Sequence, residues 1–167
     1  GEQLFGFNSF GWRFSSVVFG SLLVLMTIRL ARRLSRSTMV GAIAGILLTL
    51  DGLAFVMSRI GLLDIFQAFF LVAGVSAVAA DRDWFRHRLA DHLRTIGNPH
   101  LNGDFGPALG WRPWRLVAGI MFGLACGTKW NSMFVLATMG IVSVIWDWSA
   151  RRLAGAGTKA WWSFLRD

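Results

Sequence analysis

Residues 48–66 read LTLDGLAFVMSRIGLLDIF. Three charges, Asp51, Arg59 and Asp64, interrupt a chain that is otherwise apolar from position 38 to position 80. One helix over 38–80 would be about 65 Å long, twice the ~30 Å hydrocarbon core of a bilayer. The stretch must therefore fold back on itself, and the break is expected near 58–61, at Ser58, Arg59, Ile60 and Gly61. That gives two antiparallel spans, 38–57 and 62–80, joined by a tight hairpin. Asp64 then falls in the first turn of the second span, where the helix dipole favours an anion. Asp51 falls about six residues before the end of the first span, ~9 Å below the interface. A carboxylate at that depth normally faces protein or a wet cavity. Asp51, Arg59 and Asp64 are expected to meet at this end of the hairpin.

The same reading extends outward to three more apolar segments, 12–28, 113–127 and 132–146, the last two short for a full crossing. Hydrophobic residues make up 54% of the chain and charged residues 16%, a balance outside the range of ordinary soluble domains. The net charge of +8 would point to nucleic acid in a soluble protein. Here the charges sit in short blocks between apolar runs, so nucleic acid is excluded as a partner and membrane lipid takes its place. Only helices satisfy their own backbone groups in lipid when no barrel pattern is present. The expected fold is all-α, a polytopic transmembrane helix bundle with about five spans in a single domain over 1–167.

The basic residues set an orientation. Fourteen of the 17 lysines and arginines fall in three blocks: after the first span, between the third and fourth, and after the fifth. Arg13, Arg59 and Lys129 fall at the opposite span ends. The positive-inside rule puts the three blocks in the cytoplasm and these three residues outside. The polar stretch 81–112 is then a cytoplasmic loop. Its first part, DRDWFRHRLADHLR, reads as a helix at the interface, and GNPHLNGDFGPALGWRP as irregular loop. Trp146, Trp148, Trp161 and Trp162 sit where an aromatic belt is expected. The cytoplasmic arginines are read as topology signals that touch anionic headgroups.

His87, His92 and His100 do not converge on one helix face, so no metal site is expected from them. Cys126, the single cysteine, reads as a small core residue. The chain opens on Gly1 with no signal-peptide pattern and reads as an internal segment of a longer protein. The candidate site is at the outer ends of the spans. Lys129 in GTKWN is a point cation suited to phosphate. Trp130 can stack on a sugar ring or mark the interface, and Arg13 can do either job at the start of the first span. The bland alternative for Asp51, Arg59 and Asp64 is an ion-paired clamp that only holds the hairpin together.

GEQLFG (1–6), GWRFSS (11–16), RRLSRST (32–38), DGLAFVMSRIGLLDIF (51–66), DRD (81–83) and GLACGTKWN (123–131) together resemble the bacterial protein O-mannosyltransferases. These are membrane glycosyltransferases of the GT-C type that use polyprenyl-phosphate sugars. The most specific elements are Ser58 to Asp64 and the LACGTKWN run. The resemblance implies transfer of mannose, with inversion, from polyprenyl-phosphate-mannose to Ser/Thr hydroxyls of exported proteins. It implies an active site at the extracytoplasmic face of a bacterial plasma membrane. It places the catalytic Asp in an external loop upstream of Gly1, so Glu2 is not that acid and this segment alone is expected to be inactive. Arg59 matches an arginine of the family element, with Asp51 and Asp64 at acidic positions around it. Arg59 and Lys129 are the implied stabilisers of the leaving phosphate, and Asp51 and Asp64 orient Arg59. No cofactor is implied, and the need for a divalent metal is left open. Three other readings stand: a related transferase with a lipid or glycan acceptor, a transporter segment, and a noncatalytic assembly subunit. An Asp-Glu pair upstream would favour the transferase over the last two.

Overall fold

The computed structural model describes residues 6, 9–60, 62–96 and 110–153. Expectations about GEQLFG other than Gly6, about His100 and the loop around it, and about Lys159, Trp161, Trp162 and Arg166 lie outside the described residues. Six helices follow in order: α1 (Ser9–Ser35), α2 (Thr38–Leu50), α3 (Gly52–Ile60), α4 (Leu63–Ile96), α5 (Pro113–Thr128) and α6 (Ser132–Leu153). Among the described residues there is no strand.

Each apolar run became a helix, with boundaries that differ in informative ways. The first helix continues past residue 28 through Arg32 and Arg33 to Ser35. Its end is a local device. The Ser35 hydroxyl donates to the Ala31 carbonyl at 2.7 Å and accepts the Ser37 N–H at 3.2 Å. Arg36 takes a left-handed φ of 54°, and the chain reverses within two residues. The expected second span is not one helix. It breaks at Asp51 into α2 and α3, bent by 61°. The break near residues 58–61 is also present, between Ile60 and Leu63. The third span does not stop at Ala80. Helix α4 runs 34 residues without interruption, so the stretch read as a separate interfacial helix is the continuation of this one. At ~51 Å it outruns the hydrocarbon core, and its charged final third projects beyond it.

Helices α1, α4 and α6 each hold a stretch long and apolar enough to cross a membrane, and the bent pair α2–α3 supplies up to a fourth crossing. Helix α5 has 16 residues, a rise of ~24 Å, short of the core thickness. Large apolar side chains such as Met39, Leu47, Leu50, Phe134 and Ile141 lie exposed on the outer surface, as lipid-facing positions require.

Helix α4 is the axis of the bundle, and small residues let its neighbours approach. Ala73, Ala77, Ala79 and Ala80 are buried on it, and the Phe122 ring of α5 lies where a side chain at Gly74 would have to go. Phe19 of α1 packs on Phe66, Phe69 and Phe70 at ring distances of 4.8, 5.0 and 5.6 Å. At the other end Arg33 pairs with Asp83 at 3.4 Å, so α1 and α4 run parallel. Asp64 meets Lys129 and Asp81 meets Arg112, so α5 is antiparallel to α4. Trp148 of α6 packs on Phe85 and Leu89 of α4. Helix α2 is held against α1 by Gly41 and Gly45, where a Cβ would fall within about 3 Å of Ile28 or Arg32. This is the small-xxx-small contact of membrane helices. The two ends of the bundle differ: one carries the arginine blocks, and the other carries the α3–α4 and α5–α6 turns.

Candidate functional site

At the end opposite the arginine blocks, α4 begins and α5 hands over to α6 through three residues. Helix α5 stops because Lys129 takes an extended conformation, φ −147° and ψ 129°. The Ala125 carbonyl gathers the turn: it accepts the Lys129 N–H at 3.0 Å, the Thr128 hydroxyl at 2.6 Å and the Ser132 hydroxyl at 3.1 Å. The turn projects Lys129 onto Asp64, with Nζ donating to Oδ1. One turn further along α4, the Gln67 amide donates to Asn131 Oδ1 and to Ser132 Oγ, both at 2.7 Å. Gln67 and Ser132 are buried, while Lys129 and Asn131 are exposed. The result is a small polar platform with a closed base and an open top. Trp130 stands beside it, 74% exposed, its ring 6.2 Å from that of Phe134.

The three charges of the hairpin do not form the expected cluster. Asp51 sits in the break between α2 and α3, exposed, where its Oδ2 accepts the Ala54 N–H at 3.0 Å and its carbonyl accepts the Phe55 N–H. It is a helix cap, not a carboxylate buried within a span. Asp64 is taken by Lys129. Arg59 makes no ion pair among the described residues. Its guanidinium lies 5.2 Å over the Phe55 ring, one helical turn back on α3, a cation–π contact. Asp51 is engaged by its cap and Asp64 by Lys129, which leaves Arg59 to the Phe55 ring. Arg13 is exposed near the start of α1 and has no ion pair among the described residues. Among the described residues no group of three His, Cys, Asp or Glu could hold a metal.

A second polar centre, at the arginine-rich end, was not foreseen. Arg112, read from sequence as a topology signal at the headgroups, is 4% exposed. Its guanidinium spans two carboxylates: Nε donates to Asp81 at 3.1 Å, NH1 to Asp147 at 2.5 Å, and NH2 to both. Arg115 joins the same two carboxylates, and Phe85 covers the Arg112 plane at 4.6 Å. Two cations and two anions balance, and every face of the Arg112 fork is used. Burial by itself pulls the Arg112 pKa down; its hydrogen bonds to Asp147 and Asp81, and then their charges, outweigh it and hold the guanidinium above its ordinary value. The signal was present in the sequence: Asp81, Arg112 and Asp147 each close or open a neighbouring span at the same depth.

An all-helical bundle with lipid-facing outer surfaces and polar centres at its two ends defines an integral membrane protein. This chain belongs to the family described as dolichyl-phosphate-mannose-protein mannosyltransferase, whose model matches residues 1–88, a stretch that takes in α1 to α3 and most of α4. It is 45% identical over 152 residues to a polyprenol-phosphate-mannose–protein mannosyltransferase of Mycobacterium tuberculosis (strain CDC 1551 / Oshkosh). It is 44% identical to one of Mycolicibacterium smegmatis (strain MKD8), and 43% identical to one of Corynebacterium glutamicum (strain ATCC 13032). Each match covers 91% of this chain and 29% of the relative, so the chain spans under a third of the length of these relatives. No solved structure matches it.

Proposed function

We propose that the protein to which this chain belongs moves mannose from polyprenyl-phosphate-mannose to Ser/Thr hydroxyls of exported proteins, at the extracytoplasmic face of a bacterial plasma membrane. The observation that carries this reading is identity of 43–45%, over 91% of the chain, to relatives named for that donor and for a protein acceptor. The platform at the α5–α6 turn adds chemistry that fits. In an inverting displacement the acceptor oxygen attacks C1 of the mannose as its proton passes to a base. The C1–O bond to phosphate breaks, and the electron pair leaves with the polyprenyl phosphate. Charge grows on that phosphate, and a fixed cation stabilises it more in the transition state than in the ground state. Arg59, with no carboxylate on it, and Lys129, held by Asp64, are the cations assigned to this task. Trp130 supplies an open ring face for the sugar, and Arg13 lies at the same end. No base is assigned here, because Asp51 is spent on a cap and Asp64 on Lys129. In this reading the base is an aspartate from the part of the relatives that this chain does not span, and the chain by itself is inactive.

The test is Arg59→Ala in the full-length enzyme, read as mannosyl transfer from polyprenyl-phosphate-mannose to a Ser/Thr peptide. Loss of one such donor is expected to cost about 10²–10³ in rate. Among the described residues Arg59 holds no carboxylate, so its removal orphans none of them and membrane abundance should stay normal. Full activity in a normally abundant variant would remove Arg59 from the site. Mannose found on lipid or glycan but not on peptide would replace the acceptor.

A further inference from the structure

A hollow of 650 Å³ opens between α1, α4 and α5 at the arginine-rich end, far from the platform just described. It exists because α4 presents a row of small side chains, Ala73, Ser76, Ala77 and Ala80, to two helices that carry larger ones. Val117 and Met121 of α5 and Met26 of α1 supply apolar lining on the side away from the arginines. The mouth is the reverse. Arg29, Arg32, Arg33 and Arg36, on one face of the last turns of α1 and just past its end, ring the entrance. Among the described residues only Arg33 of these is neutralised, by Asp83 at 3.4 Å. Among the described residues Arg29, Arg32 and Arg36 have no ion pair. Inside, the Ser76 hydroxyl is buried without a hydrogen-bond partner among the described residues. Thr27 and Ser143 bond back to their own helix; Ser16, outside the hollow, is the other buried serine hydroxyl without a partner among the described residues.

We infer that this hollow is a binding site for an anionic glycerophospholipid. Its phosphate is held by Arg29, Arg32 and Arg36, and the glycerol-proximal part of an acyl chain lies along the α4 alanines. The Ser76 hydroxyl is placed to donate to an ester carbonyl. Charge complementarity selects the ligand: three uncompensated guanidiniums at the mouth ask for an anion, and an apolar floor asks for a tail. Depth agrees, since these arginines close a membrane-crossing helix and so stand at headgroup level. The inference is independent of the catalytic reading.

The experiment uses the full-length enzyme in nanodiscs of mixed phosphatidylglycerol and phosphatidylcholine. Retained lipid is counted by native mass spectrometry after release into detergent. The wild type should hold phosphatidylglycerol in preference. Arg29→Gln, Arg32→Gln and Arg36→Gln combined should lower that retention about tenfold or more. Arg86→Gln with Arg88→Gln, exposed at the same end but outside the hollow, should not. Equal retention in the two variants would overturn the site. A diazirine amino acid placed at Val117 gives a second readout that needs no loss of charge. A glycerophospholipid adduct supports the inference. An adduct confined to another part of the same polypeptide, or to polyprenyl phosphate, overturns it.

Discussion

Lys129, on the turn between α5 and α6, donates to Asp64 in the first turn of α4. Sequence separation between them is 65 residues, and the pair ties the start of the central helix to the short turn between α5 and α6. Asp64 gains from the helix dipole as well as from the ammonium. The pair is half-exposed, with Lys129 at 44% and Asp64 at 31%, so it is weak as a structural clamp. The proposed role for Lys129 as a phosphate-binding cation draws on this exposure.

Lys129→Gln should therefore lower mannosyl transfer in the full-length enzyme by about 10²–10³-fold, with little change in membrane abundance. The double variant Lys129→Gln with Asp64→Asn separates the two roles. A clamp would tolerate the neutral pair, since neither charge is left alone. A phosphate-binding lysine would not, and the double variant should remain as inactive as the single one. Recovery of transfer in the double variant would reduce the pair to a clamp.

The helices were legible because apolar run length against bilayer thickness is a strong constraint. The break at Asp51 was not, although Asp51-Gly52 is a turn-type dipeptide and supplied the one local sign. In a run as apolar as LTLDGLAF, span length outweighed it. Arg59 reads as an ion-pair partner because two acids flank it in sequence, whereas its contact with Phe55 follows from their i, i+4 spacing on α3. Gln67 carries no charge and so gives no signal among the charged candidates, yet it lies three residues after Asp64 on the same helical face. Asp81, Arg112 and Asp147 were counted singly as charges at span ends. Their pairing rests on contacts across 31 and 35 residues, which only the register of three packed helices reveals.

Arg112→Ala should destabilise the protein by about 3–5 kcal/mol, because it leaves two buried carboxylates with only the half-exposed Arg115 to pair them. Arg112→Lys should restore little, since a single ammonium cannot reach both carboxylates in the forked geometry. Thermal unfolding of the purified full-length protein, followed by tryptophan fluorescence, measures both. A wild-type melting temperature for Arg112→Ala would mean that the network adds nothing to the fold.

Gly45→Leu should separate α2 from α1, because its side chain would occupy the space of Ile28. Overpacking of this kind typically costs about 1–3 kcal/mol. Pairing it with Ile28→Ala should recover most of the loss by vacating that space. Denaturant titration of the two variants checks the contact. No rescue by Ile28→Ala would show that the strain lies elsewhere.

Fourteen of the 17 basic residues were assigned to one side from sequence, and the described ones among them lie on the end where α1, α4 and α6 finish. Basic residues in short segments beside spans are retained in the cytoplasm. That end is therefore expected inside, and the Lys129 platform outside, the face that the proposed acceptors would reach. The check is labelling of intact cells with a membrane-impermeant maleimide, in a background whose native thiols, Cys126 included, are replaced by serine. Trp130→Cys, at a position 74% exposed on the platform end, should label from outside. Arg33→Cys and Arg88→Cys, at exposed positions of the arginine-rich end, should label only after the membrane is opened. The reverse pattern would turn the bundle over. It would also set the platform on the cytoplasmic face, away from the acceptors that the proposed reaction requires.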